Sequence, residues 1–353
     1  MIALDRLAGP STLMAWLSPV LAVALTVLSG GVIFVSIGIA PGAGLWVYFL
    51  SPFADPYSQA ELIVKAIPLA LIGAGLAVSF RANVWNIGAA GQYVLGAVVS
   101  GWVALAVPEA ASPFWLLPYL AAGILGGMLW AAIPALLRTR FHANEILVSL
   151  MLTYIATLLL DWLVRGPWRD PLGFGFPQSA DFAPGFLMPV IVEGTRLHAG
   201  AVLAVLAAAI LAVMMRRTLR GFEIAVIGQA PRAAAFAGFQ QKRVVWFVLL
   251  VSGGLAGLAG AIEVSATIGQ LQPDIAAGYG FTAIIVAFLG RLNPVGVLLG
   301  ALVLAVSYIG GENAQILLKL PKNVTFVFQG MLLFFLLACD TLIRYRLVWR
   351  RAA

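Results

Sequence analysis

The sequence predicts an all-α, polytopic membrane protein, and three observations carry that prediction. Charged residues make up only 10% of the 353-residue chain while hydrophobic residues make up 62%, with a mean hydropathy of +1.01. A soluble domain carries about a quarter charged residues, so most of this surface has to face lipid or other membrane helices. Apolar stretches long enough to cross a bilayer, about 20 residues each, recur about ten times. Finally, the basic residues alternate between the loops on a fixed beat, as topology signals do.

The apolar stretches run over 16–40, 60–80, 89–107, 114–137, 145–164, 199–215, 244–262, 279–290, 295–309 and 324–340. The first is too long for a signal-peptide core and is expected to be retained as a helix. The eighth and ninth are short and flank Arg291, Asn293 and Pro294. They fit either two tilted spans or one broken hairpin. The 37 glycines and 19 prolines fit membrane helices, which tolerate both.

One set of loops holds Arg6, Arg81, Arg138, Arg140, the basic run from Arg216 to Arg243, Arg291, and Arg344, Arg346, Arg350 and Arg351. The opposite set holds Arg165, Arg169, Arg196, Lys319 and Lys322 with most of the acids. Both termini are therefore expected in the cytoplasm. The whole chain, 1–353, reads as a single transmembrane domain with two long loops. Loop 165–198 is extracytoplasmic and rich in Gly, Pro and aromatics, which suits a packed cap. Loop 216–243 is cytoplasmic.

Three segments are candidates for function. In the cytoplasmic loop, Pro231 suits a first helical position and Gly238 a helix end. Arg232 to Ala237 between them are good helix formers. A helix of about two turns is unstable alone and needs a partner. It reads as a coupling element for a cytoplasmic ATPase, approached through Gly221 and Gly228 and including Ala234; the plainer reading is a basic loop that only sets topology. The second segment, Arg81 to Gln92, places Asn83, Asn86 and Gln92 beside Gly88 and Gly91 near membrane depth. Such amides either line a polar path or sit in a surface loop. In the third, Asn144 and Glu145 suit a helix cap and first turn, followed by Ser149, Thr153 and Tyr154. These bond between helices or line a path.

Glu61 and Lys65 stand four apart and suit an intrahelical pair. His142 and His198 are isolated, and Cys339 is the single cysteine, so neither a disulfide nor a metal site is expected. No lysine follows a glycine, which excludes the phosphate-binding loop GxxxxGK[ST]. No hydrolase motif is present. No enzymatic activity or cofactor is expected, and any ATP would be bound by a partner subunit.

Asn86–Gln92, NIGAAGQ, is similar to the NIGAEGQ of the permeases of bacterial ABC importers for nucleosides, simple sugars and branched-chain amino acids. NEI at 144–146 and MLTYIA at 151–156 resemble that family's NEV and MLNYIA, and 221–238 resembles its GxxxRAxGxNPxAAxxAG. AFLGRLNP at 287–294 resembles its IFGxxNP stretch. The resemblance spans nearly the whole chain and is strongest to the nucleoside branch, whose binding lipoproteins are of the basic-membrane-protein type. Ala90 replaces the usual Glu, Thr153 an Asn, and Ala225 and Ala230 an Arg and an Asn.

The resemblance implies a multi-pass permease of the bacterial inner membrane. It implies a second, related but distinct permease chain, a cytoplasmic ABC ATPase, an extracytoplasmic binding protein and a small polar substrate, with no nucleic acid. Residues 221–238 would contact the ATPase. A pentose permease is the alternative, and an ion-coupled secondary transporter a more distant one.

Overall fold

The computed structural model describes residues 2–6, 11–275, 278–343 and 345–349. Arg344, Arg350 and Arg351 of the topology argument lie outside the described residues. In chain order the elements are β1 (Ile2–Arg6), α1 (Thr12–Ser36), α2 (Pro41–Leu45), α3 (Pro56–Arg81), α4 (Ala89–Ala106), α5 (Leu116–Phe141) and α6 (Glu145–Arg165). They continue with α7 (Gly200–Arg217), α8 (Leu219–Gln229), α9 (Pro231–Phe236), α10 (Gln241–Glu263), α11 (Tyr279–Leu289), α12 (Pro294–Leu318), α13 (Asn323–Thr341) and β2 (Tyr345–Trp349). Among the described residues nine helices are long and apolar enough to cross a membrane. The fold is all-α apart from the antiparallel ribbon β1–β2.

The eighth apolar stretch is α11, an apolar helix of 11 residues that is too short to span a bilayer alone. The ninth is not short: α12 runs 25 residues. Between them Arg291 and Leu292 take positive φ (56° and 52°), closing a tight turn that Asn293 finishes by accepting the Val295 N–H (3.2 Å).

The described residues fall into two compact units, 60–303 and the pair of segments 1–59 and 304–353. In the larger unit α4, α5 and α10 pack most closely. Glycines make this possible. A Cβ on Gly257 would sit 2.2 Å from the Gly123 carbonyl oxygen, and one on Gly127 2.1 Å from that of Gly253. Backbones this close gain dispersion contacts that no larger side chain permits, which is how helices associate in lipid without a hydrophobic driving force. Tyr119 is fully buried at the same seam and donates to the Ala261 carbonyl (3.0 Å).

Loop 165–198 caps this unit in part. Phe182 and Phe186 are buried around Tyr119. The Ser179 and Phe182 amides donate to Leu271 and Gly269 (3.0 and 2.8 Å). Phe174 and Phe176, by contrast, point outwards and Trp168 is half-buried, so the expected packed cap buries only two of its five aromatics. Glu61, buried on α3, takes a bidentate contact from the Arg196 guanidinium of the same loop. Sequence spacing names only Lys65 as a neighbour of Glu61, and Arg196 is a partner that spacing does not name.

In the smaller unit α1 lies along α13. Phe34, Tyr48, Ala314, Leu320 and Phe328 form its core, with Tyr48 stacked on Phe328 at 4.2 Å between ring centroids.

Candidate functional site

Two places in the larger unit gather the residues that the sequence singles out. The first is loop 216–243. The α7 helix ends at Arg217, and Thr218 turns the chain: its hydroxyl accepts the Gly221 N–H (3.3 Å) and donates to the Met214 carbonyl (2.7 Å). Gly221 sits against the Met214–Met215 backbone, where a Cβ would be 2.5 Å from a carbonyl oxygen. The result is α8, a helix that the sequence reading did not anticipate. Its Ile224 and Ile227 are buried, and Gly228 lies so close to the end of α3 that a Cβ would meet the Arg81 carbonyl at 2.0 Å. Gly228 therefore fixes this segment to the bundle.

The α9 helix follows, beginning at Pro231 as expected. Gly238 ends it in the left-handed region (φ 80°), a conformation that glycine adopts without a Cβ penalty. Its N–H donates to Ala235 and that of Phe239 to Ala234 (both 3.0 Å). Ala234 faces inward and is buried, while Arg232 and Ala233 are exposed. Phe236 is 94% exposed. Arg232 and Phe236 are four residues apart and share one helix face. Phe236 was missed from the sequence. The available signal was a lone aromatic one turn after an arginine in an otherwise alanine helix.

The second place is the junction of α4, α6 and α10. Asn83 closes α3 with φ 56°; it is exposed and accepts from the Trp85 indole N–H (3.0 Å). Asn86 is fully buried. Its amide donates to Gln92 (2.8 Å) and to the Ser252 hydroxyl (2.9 Å), and its carbonyl accepts from Gln92 (3.0 Å) and from the Gly88 N–H (3.2 Å). Gly88 meets α6 at Ser149 and Gly91 meets it at Thr153, each with less than 3 Å to spare for a Cβ. The two hydroxyls donate back along their own helix, Ser149 to Ile146 and Thr153 to Ser149 (both 3.2 Å). Tyr154 points outwards.

Ala90 is buried, and Gly280 of α11 lies against it, with 2.4 Å between a Cβ on Gly280 and the Ala90 nitrogen. The small residue thus permits α11 to close on α4. Phe288, at the other end of α11, stacks on Phe80 (5.6 Å) and Trp85 (6.2 Å). Asn144 caps α6, accepting from Ile146 (2.9 Å) and Leu147 (3.4 Å). Glu145 does more than favour the helix end: it takes Arg138 at 2.5 Å and the Trp85 N–H at 3.4 Å.

Comparison with known proteins agrees with this architecture. Residues 58–337 match the family described as branched-chain amino acid transport system / permease component. The glucose ABC transporter permease protein TsgB13 of Haloferax volcanii is 36% identical over 95% of this chain and 91% of its own. The guanosine ABC transporter permease protein NupP of Bacillus subtilis is 31% identical over 90% and 92%. The nucleoside ABC transporter permease protein NupB of Lactococcus lactis is 26% identical over 91% and 90%. With its apolar helices and its match across most of the length, the chain belongs to the branched-chain amino acid transport system / permease component family and is a multi-pass permease subunit of an ABC importer.

Proposed function

We propose that this permease carries a nucleoside across the bacterial inner membrane by alternating access. It works with a related second permease, two ATP sites on cytoplasmic ABC ATPase subunits, and an extracytoplasmic binding protein. Two of the relatives above are named for guanosine or nucleosides. A simple sugar is the second reading, favoured by the relative named for glucose.

The observation that carries the coupling role is α9: a six-residue helix pinned through Ala234 and Gly228, with Arg232 and Phe236 facing away from the chain. A helix this short gains stability from a partner, and a groove on the ATPase supplies one. ATP binding closes the ATPases and displaces α9. Gly221, Gly228, Pro231, Arg232, Ala234 and Gly238 shape the element that passes this movement to α3. The permease itself supplies no catalytic group and binds no cofactor, ATP being held by its partner. Both termini and loop 216–243 are cytoplasmic in this arrangement.

Asn83, Asn86, Gly88, Gln92, Ser149, Thr153 and Tyr154 border the proposed substrate path. The buried amides give the α4–α6–α10 junction a fixed shape, and a rearrangement there would turn their donors and acceptors toward a ribose or base.

Uptake of labelled adenosine or uridine tests the substrate assignment in cells with this gene intact or deleted, against excess nucleosides, bases, pentoses and branched-chain amino acids. Loss of nucleoside uptake on deletion, with competition only by nucleosides or bases, supports the proposal. Intact nucleoside uptake with a lost pentose or glucose route transfers the assignment to sugars.

A further inference from the structure

The turn between α5 and α6 and the start of α10 border an open cavity of about 420 Å³ lined by Arg138, Thr139, His142, Asn144, Glu145 and Lys242, among others. None of these residues belongs to α9 or to the Asn86–Gln92–Ser252 hydrogen-bond network, although Asn144 and Glu145 stand beside that network at the start of α6. The cavity is built rather than incidental. His142 takes φ 56°, which reverses the chain after α5, and the Ala143 N–H returns to Leu137 (3.2 Å). The Trp246 indole donates to Thr139 (3.0 Å) and so fixes α10 beside α5. Its size falls in the range that holds small molecular groups.

Its charge is the informative part. Glu145 is occupied by Arg138 and the Trp85 N–H, so those two charges cancel. Lys242 remains as a cation that favours an anion, and the His142 ring adds an N–H donor beside it. Asn144 spends its carbonyl oxygen on helix N–H groups, which leaves its Nδ2 as a donor. The α10 helix begins here, and Gln240 gives it no side-chain cap, so its N-terminal partial charge adds to the same field. Beside the mouth, Phe141, Ile146 and Leu147 are exposed apolar side chains. A free anion has no use for such a wall, but an acyl chain does.

We propose that this cavity holds the phosphate headgroup of an anionic phospholipid, with its acyl chains along Phe141, Ile146 and Leu147. Lys242 lies six residues after Phe236, so the bound lipid would brace the root of α9. The site follows from the cavity and its charge alone; the coupling role of α9 adds only its consequence. Basic pockets between membrane helices recognise such headgroups through the same charge–phosphate chemistry.

The test uses the full chain in phosphatidylcholine nanodiscs. Phosphatidylglycerol is titrated in, and retained lipid is measured by native mass spectrometry. Lys242→Gln should weaken phosphatidylglycerol retention about fivefold, as removal of one cation from a lipid contact does. Lys242→Glu should weaken it further. Arg140→Glu, outside the lining, should leave retention unchanged, which separates a site from general surface charge. Equal retention by wild type and both Lys242 variants overturns the proposal. Displacement by millimolar inorganic phosphate overturns the lipid assignment in favour of a free phosphate. Loss of retained lipid on adding the ATPase overturns it in favour of a protein contact.

Discussion

The α9 helix and the Asn86–Gln92 junction use similar sequence material, small residues punctuated by polar ones, toward opposite ends. In α9 one alanine is buried and the arginine and phenylalanine are displayed. At the junction the polar groups are the buried ones, and Asn86 makes four hydrogen bonds while wholly screened from solvent. On the proposed reading, the first region gains its stability from a partner outside the chain. The second closes every bond inside it. Exposed groups at a coupling surface can be altered with little damage to the fold, whereas a buried network is lost as a unit.

That contrast is broken most sharply by Asn86→Ala. It leaves Gln92, the Ser252 hydroxyl and the Gly88 N–H without their partner, and a buried polar group left unsatisfied costs about 1–3 kcal/mol. The expected loss is about 3 kcal/mol, read as a fall in melting temperature of the purified protein. If the variant melts normally but has lost uptake, the junction acts directly on substrate and the structural account of it fails.

A smaller effect is expected at the other end of the same unit. His198 is buried and its Nδ1 accepts the Gly200 N–H (3.2 Å). Burial pushes its pKa down to about 4, against a lesser opposing pull from the Glu61 carboxylate. The folded state therefore resists protonation that the unfolded chain accepts near the usual histidine value. Stability on this account is unaffected above pH 7 and falls as the pH drops from about 6.5 toward 4, by about 2 kcal/mol at pH 5. The His198→Gln variant should lose that part of the acid sensitivity. Identical acid profiles for the two proteins would remove His198 as its source.

Much of this was legible in the sequence, and the rest was hidden for identifiable reasons. Pro231 and Gly238 marked α9 to within two residues because each has a backbone preference of its own. The Asn144 cap was legible for the same reason. The α8 helix was not, because Gly221 and Gly228 read as breaks; they are instead contact points against Met214 and Arg81, and a contact partner distant in sequence leaves no local mark. The Arg196–Glu61 pair was missed similarly, since its partners stand 135 residues apart in the sequence. The α12 helix runs past its expected end at 309 to Leu318, through polar residues such as Asn313, which donates to Ser51 (2.8 Å), a contact that the apolar run does not announce. The closed amide network was invisible, because sequence places amides at a depth but says nothing of their bonds.

The smallest expected change in stability, and the sharpest functional one, belongs to Phe236→Ala. The side chain is 94% exposed, so its removal should shift the melting temperature by no more than an ordinary surface substitution, within about 0.5 kcal/mol. In the assembled importer, however, an aromatic side chain docked in a groove is the kind of residue on which an interface depends, and its truncation costs about 2 kcal/mol or more. ATP-driven uptake should therefore fall at least tenfold while the protein reaches the membrane in normal amounts, and the ATPase should co-purify less well. Arg232→Ala, on the same face, should weaken the same association by a smaller factor. If both variants transport at wild-type rates, α9 is a topological loop after all, and Gly228 then serves only to pack α8 on α3.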